Sequence, residues 1–258
     1  MKRRGMDSIK HLIKKIVRRE CCDSDTYVAY LRKKGAKIGE NTFFWSPEMR
    51  PVDEGRANFI TIGKNCMITR GGVILAHDYS WTVMRKSHNA FLPDAGGRVT
   101  IGDNVFLGMN AIVLKGVTIG SNVIVGAGSV VTHDLPENTV CAGNPCHVIC
   151  SLDDYCKRKA EGIVDDVYHL YYFLQQTRNR KPTPEDLLYF GYLFTKPESD
   201  ERRSFAERIR LVADDDKEVR ENYLYLKNIF SDFQDFEEYC QRRRKQENGE
   251  DEGVLCDT

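Results

Sequence analysis

An aliphatic residue returns every sixth position through most of the segment from Ile38 to Pro136. In sixes the chain reads IGENTF from Ile38, then IGKNCM, ITRGGV and ILAHDY from Ile62. It resumes with IGDNVF, LGMNAI, VLKGVT, IGSNVI, VGAGSV and VTHDLP from Ile101. The second position is usually glycine, as at Gly39, Gly63, Gly102, Gly108, Gly120 and Gly126. The fifth is small or β-branched, as at Thr42, Val105, Ala111, Val117, Val123 and Ser129. A period of six fits neither one amphipathic helix nor one hairpin. It fits short strands joined by sharp turns, the aliphatic residue inward and a conformationally permissive residue after it. Three such faces close a triangular coil of about eighteen residues, and coils stacked about 4.8 Å apart bring like side chains into ladders.

The phase of the beat locates an interruption. Ile38 to Ile62 spans four hexads and Ile101 to Val131 spans five, but Ile74 to Ile101 is 27 positions, three more than a multiple of six. A loop therefore leaves the coil at about 79–98. It begins just after His77, in the stretch ILAHDYSW.

The pattern on either side is helical. Residues 1–37 read as a basic amphipathic leader: SIKHLIKKIVRR sets Ile9, Leu12, Ile13, Ile16 and Val17 on one face, with lysines and arginines opposite. Such a helix caps the open end of a β-helix and hides its strand edge; the alternative is peripheral contact of residues 8–19 with an anionic membrane. TYVAYLRKKGAKIG reads as a second helix feeding the first coil. After the domain at 38–150, residues 151–258 form a helical extension. Nine of the twelve tyrosines lie there, enough for an aromatic core of its own. Thr183, Pro184 and Glu185 mark a helix start, and YLYLKNIFSDFQDFEEYC spaces its aromatics helically. QENGEDEGVLCDT is expected to be disordered.

Charge divides the chain the same way. Residues 1–37 carry 12 basic and 4 acidic side chains, 38–150 carry 8 and 9, and 151–258 carry 18 and 25. No apolar run reaches the ~18 residues of a membrane-spanning helix and no signal-peptide core opens the chain, so a cytoplasmic protein is expected. Cys141, Cys146, Cys150 and Cys156 lack the paired C-x2-C spacing of structural zinc sites and read as reduced thiols. No metal and no nucleic-acid partner are expected.

Residues 58–150 resemble the hexapeptide-repeat acyltransferases. The run VTIGDNVFLGMNAIVLKGVTIGSNVIVGAGSVVTHDLPENTVCAGNP is similar to the galactoside and maltose O-acetyltransferase branch, and ILAHDYSW with LRKKGAKIG to surface-polysaccharide acetyltransferases. The resemblance implies a left-handed parallel β-helix, acetyl-CoA as co-substrate, a homotrimer and a saccharide acceptor. It implies that His77 is the general base, a role suited to imidazole at neutral pH. Asp78, Tyr79 and Trp81 become acceptor-side candidates, the aromatics by stacking on a sugar ring. Asp78 directly succeeds His77, so on extended chain it faces away and is better placed to hold loop amides than the imidazole. By motif position Met109, Ala127, Thr132, His133, Ala142, Gly143 and Asn144 would contact CoA. His147 and Cys150 replace the usual basic residues of the last strand, leaving Lys157, Arg158 or Lys159 as sources of a cation for the 3′-phosphate.

Rival chemistries fit less well. A γ-type carbonic anhydrase needs a closely spaced histidine pair late in the coils, and the six histidines here are scattered. A nucleotidyltransferase needs a further domain that 37 residues cannot hold. The expected activity is acetyl-CoA-dependent O-acetylation of a saccharide. Acetylation of an amine, and a non-enzymatic scaffold whose tail recruits partners, are the alternatives.

Overall fold

The computed structural model describes residues 20–90, 92–93, 96–208, 221–224 and 226–248. The leader segment SIKHLIKKIVRR and residues 249–258 lie outside them. Two compact units divide the chain, residues 1–158 and 159–258.

The first unit opens with helix α1, Ser24–Lys33, whose N-cap Asp23 accepts the Thr26 N–H at 2.9 Å. Tyr27, Val28 and Leu31 form its buried face. This helix does the capping expected of the leader. Ser24 Oγ accepts the Phe44 N–H (3.0 Å), Tyr27 Oη accepts the Val52 N–H (3.3 Å), and Arg32 donates to the Ile38 carbonyl (2.8 Å). Backbone groups of the first coil that have no earlier strand to pair with are satisfied by side chains.

Among the described residues thirteen strands form three sheets. The first holds β1 (Lys37–Ile38), β3 (Ile60–Ile62), β6 (Val99–Ile101) and β9 (Thr118–Ile119). The second runs β2 (Phe43–Phe44), β4 (Met67–Ile68), β7 (Val105–Leu107), β10 (Val123–Val125), β12 (Thr139–Ala142) and β13 (His147–Ser151). The third holds β5 (Val73–Ile74), β8 (Ile112–Val113) and β11 (Val130–Val131). All pairings are parallel except β12 with β13. The hexad aliphatics are the core: Ile62, Ile101 and Ile119 stack in register and are buried, as are Ile74, Val113 and Val131.

Only some coils keep the expected length. Ile101 pairs with Ile119, and Val113 with Val131, each three hexads on. Ile38, however, pairs with Ile62, four hexads on. That interval preserves the hexad phase, yet it is a single coil. The extra residues form 3-10 segments at two corners, Pro47–Met49 and Glu54–Phe59, with Val52 bridging to Ile74 between them. The next coil is longer still, Ile74 pairing with Val113. Its excursion leaves after Ala76 and returns where the Gly97 N–H donates to the Ala76 carbonyl at 2.8 Å, somewhat ahead of the expected 79–98. It contains helix α2, Trp81–His88.

The second-position glycines serve a different purpose from the one expected. A Cβ on Gly63 would lie 2.6 Å from the carbonyl carbon of Gly102, and one on Gly102 would lie 2.7 Å from the Ser121 nitrogen. They are small so that coils can touch. The left-handed backbone falls instead on the asparagine at position four: Asn65, Asn104 and Asn122 have φ of 55°, 56° and 58°. Their amides form a ladder, Asn65 to Asn104 (3.1 Å) and Asn104 to Asn122 (2.9 Å). Asparagine adopts this conformation more readily than most residues, and here its amide bonds to the like residue on the next coil.

Outward residues distinguish the sheets. The first shows Lys37, Thr61, Thr100 and Thr118 in register. The second shows Phe43, Met67, Phe106 and Ile124, and the third Val73, Ile112 and Val130. One outer face is polar and two are apolar.

The second unit is helical, which makes the chain as a whole mainly β only through its first unit, with the helical extension expected at 151–258 beside it. Helix α3 (Leu152–Arg178) leads into a 3-10 segment, Pro184–Leu193, then α4 (Asp200–Arg208) and α5 (Phe233–Glu247). Tyr168, Tyr171, Phe194, Phe205, Tyr223 and Phe236 are buried together as an aromatic core. The helix start marked by Thr183, Pro184 and Glu185 is present, with Asp186 completing a capping box that the sequence reading did not include, but the turns after that cap are 3-10, kinked at Leu187. The helical spacing read through YLYLKNIFSDFQDFEEYC holds at 221–224 and again from Phe233, where Asp232 caps α5; residues 226–232 between them are not helical. Helix α5 continues to Glu247, into the stretch expected to be disordered. Arg202 is fully buried and donates to the carbonyls of Tyr192, Thr195 and Leu226 and to Thr195 Oγ1, a cation met by oxygens and, among the described residues, by no carboxylate. Among the described residues no helix is long and apolar enough to cross a membrane.

Candidate active site

His77 is the first residue of the excursion, held by two neighbouring turns of backbone. Its Nδ1 faces Asp53 Oδ2 in close contact. Asp53 comes from the corner of the long first coil: its own N–H donates to the Ile74 carbonyl (2.9 Å), and Oδ2 also accepts the Ala76 N–H (3.2 Å). The carboxylate side chain is 6 % exposed and the imidazole 17 %. A carboxylate in its ionised form only accepts, and against that form the imidazole proton would sit on Nδ1 and leave Nε2 its lone pair. The carboxylate also stabilises the imidazolium that forms when Nε2 takes a proton. Tyr79 sets its ring edge-on to the imidazole, centroids 4.9 Å apart, and is 66 % exposed.

Asp78 faces the other way. Its Oδ1 accepts the Ser80 N–H at 2.8 Å and its Oδ2 pairs with Lys115 on the next coil. The Lys115 ammonium and the Ser80 groups hold its carboxyl well below the usual range. Trp81 opens α2, with the Arg85 guanidinium 5.9 Å from its ring centroid. Among the other histidines, His88 Nδ1 meets Ser87 Oγ at 2.7 Å.

The residues assigned to CoA fall into two groups. Met109, Ala127 and Ala142–Asn144 stack at the corner between the second and third sheets. There Gly128 N–H donates to the Met109 carbonyl (2.8 Å) and Val130 N–H to the Gly143 carbonyl (3.0 Å). Thr132 and His133, Oγ1 and Nδ1 3.1 Å apart, lie past the opposite edge of the third sheet. His133 stacks on Lys115, which stacks below Ala76, so it sits about 10 Å from His77 along the coil axis. Met109 and Lys115 are six residues apart, a reach of at most ~20 Å. One chain therefore brings Thr132 and His133 to the His77 edge, and leaves Met109, Ala127 and Gly143 on the far edge. Near the last strand, Arg158 donates to Cys150 Sγ at 2.8 Å, while His147 Nδ1 contacts the Pro145 carbonyl. No group of three or more His, Cys, Asp or Glu is placed to hold a metal among the described residues.

Asp53, the carboxylate on His77, is the residue of this candidate site that sequence reasoning missed. Its one signal is the step from Ile38 to Ile62, four hexads where a regular coil takes three.

Residues 98–133 match the family model for the hexapeptide repeat of succinyl-transferase. Protein CapG of Staphylococcus aureus is 38 % identical over 147 residues, covering 57 % of this chain and 81 % of its own length. The chain belongs to the hexapeptide-repeat acyltransferases. Within that family, the galactoside O-acetyltransferase of Escherichia coli K12 is 31 % identical over 119 residues, 45 % of this chain and 54 % of its own. A 2,3,4,5-tetrahydropyridine-2,6-dicarboxylate N-acetyltransferase of Halalkalibacterium halodurans is 44 % identical over 101 residues, 39 % of this chain and 37 % of its own. The chain thus spans about half or less of these two acetyltransferases. As an acyltransferase it needs a base for the acceptor and a wall for the acyl donor.

Proposed function

We propose that the protein is an acetyl-CoA-dependent O-acetyltransferase acting on a saccharide hydroxyl, its coils wound left-handed as in the family it resembles. The observation that carries this reading is the buried Asp53 carboxylate on Nδ1 of His77, beside the exposed Tyr79 ring. A sugar hydroxyl is a poor nucleophile at neutral pH. His77 Nε2 accepts its proton as the hydroxyl oxygen adds to the acetyl carbonyl carbon, and returns it to the sulfur as the carbon–sulfur bond breaks. Such assistance is typically worth roughly 10² to 10⁴ in rate. The similarity to galactoside O-acetyltransferase favours a hydroxyl, and the similarity to an N-acetyltransferase makes an amine the competing acceptor.

The working unit is a homotrimer. Two apolar outer faces beside one threonine-lined face support it, since a three-fold ring buries two faces of each prism and leaves the third in water. Met109, Ala127, Ala142, Gly143 and Asn144 would line the pantetheine groove facing His77 of a neighbouring copy, with Thr132 and His133 at its other margin. Arg158 is the cation nearest the last strand for the 3′-phosphate.

Thiol release from acetyl-CoA against a panel of sugars and amino sugars, with the product located by mass spectrometry, tests the activity. Ester formation supports the reading, and amide formation alone replaces it. Mixing His77→Ala chains with Ala127→Trp chains tests the shared site: mixed trimers should recover activity that neither variant has, and no recovery would place the site within one chain.

A further inference from the structure

Helix α2 stands beside His77 and buries none of its side chains. Trp81, Met84, Arg85 and His88 fall at i, i+3, i+4 and i+7, which is one helical face. Trp81 and Met84 are half-buried, Arg85 and His88 exposed. The face is aromatic at Trp81 and carries the Arg85 guanidinium one turn on. From Tyr79 onward the described residues of the excursion include no Asp or Glu. The acid at its root, Asp78, is already engaged by Lys115. Arg85 stacks on Trp81 and forms no ion pair among the described residues.

We propose that this face is the acceptor subsite and that it selects a carboxylate-bearing saccharide, a uronate. The inference rests on the acetyltransferase reading and adds the charge of the acceptor. Trp81 and Tyr79 offer flat apolar surface to the C–H face of a pyranose. Arg85 presents a planar fork that can bind a carboxylate through two parallel N–H···O bonds, a match an ammonium does not reproduce. The Arg85 guanidinium, without an ion pair among the described residues, is complementary to an anionic ligand and repels a second copy of the same helix, which favours the sugar as occupant.

The chain has two tryptophans, so a Trp45→Phe background leaves Trp81 as the only one and its fluorescence reports the subsite. The probes are methyl β-D-glucopyranosiduronate, methyl β-D-glucopyranoside and sodium acetate, each titrated at low and at physiological salt. The uronate should quench Trp81 with a Kd about tenfold below that of the neutral sugar, as expected for a charge-assisted pair. Arg85→Gln should abolish the difference, and Arg85→Lys should restore only part. The proposal is overturned by equal binding of the two sugars, by acetate quenching as strongly as the uronate, or by a preference that survives Arg85→Gln. Emission that changes with protein concentration and ignores all three probes would show a second copy on the face, and also overturns it. Thiol release run in parallel separates the two readings. Arg85-dependent uronate binding without transfer to any acceptor contradicts the acetyltransferase reading only; transfer that ignores acceptor charge contradicts this one only.

Discussion

The coils after Val99 and the coils before it use the same hexads, yet the candidate base and its carboxylate partner both come from the earlier ones. After Val99, β6, β7 and β8 each pair with a strand three hexads on, and their inward aliphatics meet aliphatics. That arrangement repeats contacts; it cannot create a pair that occurs once. The first coil is four hexads long, and the second sheds the excursion between Ala76 and Gly97. Those two irregularities meet at one corner, and there Asp53 finds His77. Regularity supplies the rigid frame, and its failures supply the site.

If this division is right, substitutions in the two regions should have different signatures. His77→Ala should lower kcat by roughly 10² to 10⁴ and leave the melting temperature and acetyl-CoA binding unchanged. Retention of more than about a tenth of kcat would move the base elsewhere. Gly102→Ala should do the reverse, because its Cβ would meet Ser121 backbone and side chain within 2.7 Å. Denaturant unfolding should show a loss of about 1–3 kcal/mol, the usual range for overpacking. Asn104→Ala should cost about 1–2 kcal/mol, since alanine disfavours a φ of 56° and removes two rungs of the amide ladder. Asn104→Gly should cost less, which separates backbone strain from lost hydrogen bonds. Gly55→Ala, in the irregular first coil, meets nothing closer than 3.5 Å and should stay within about 0.5 kcal/mol of wild type. A large loss at Gly55 would mean that the irregular coil is as tightly packed as the regular ones.

Legibility in the sequence divides along the same line. Ile62, Ile101 and Ile119 announce their positions because six-residue periodicity is local. The excursion is readable from the phase, and His77 from the point where the phase breaks. Asp53 is not, because it lies between Phe43 and Ile60, where no hexad holds, and reaches its partner from a full long coil away. The glycines are visible, but their purpose depends on the distance between coils, which no single strand encodes. In the helical unit, Thr183 marks a true start, while the 3-10 character after it does not show in the residue types. A fully buried Arg202 served by carbonyls is a tertiary fact with no sequence signature.

The central claim is that Asp53 fixes the imidazole of His77 with its proton on Nδ1, leaving Nε2 as the base. Nitrogen-15 NMR of the histidine side chains, with His77 assigned by comparison with His77→Ala, reads that tautomer without any acceptor. The account predicts the Nδ1–H form for His77 in the wild type, replaced by a mixture of tautomers in Asp53→Ala. A His77 found with its proton on Nε2, or one whose tautomer is indifferent to Asp53, would contradict it.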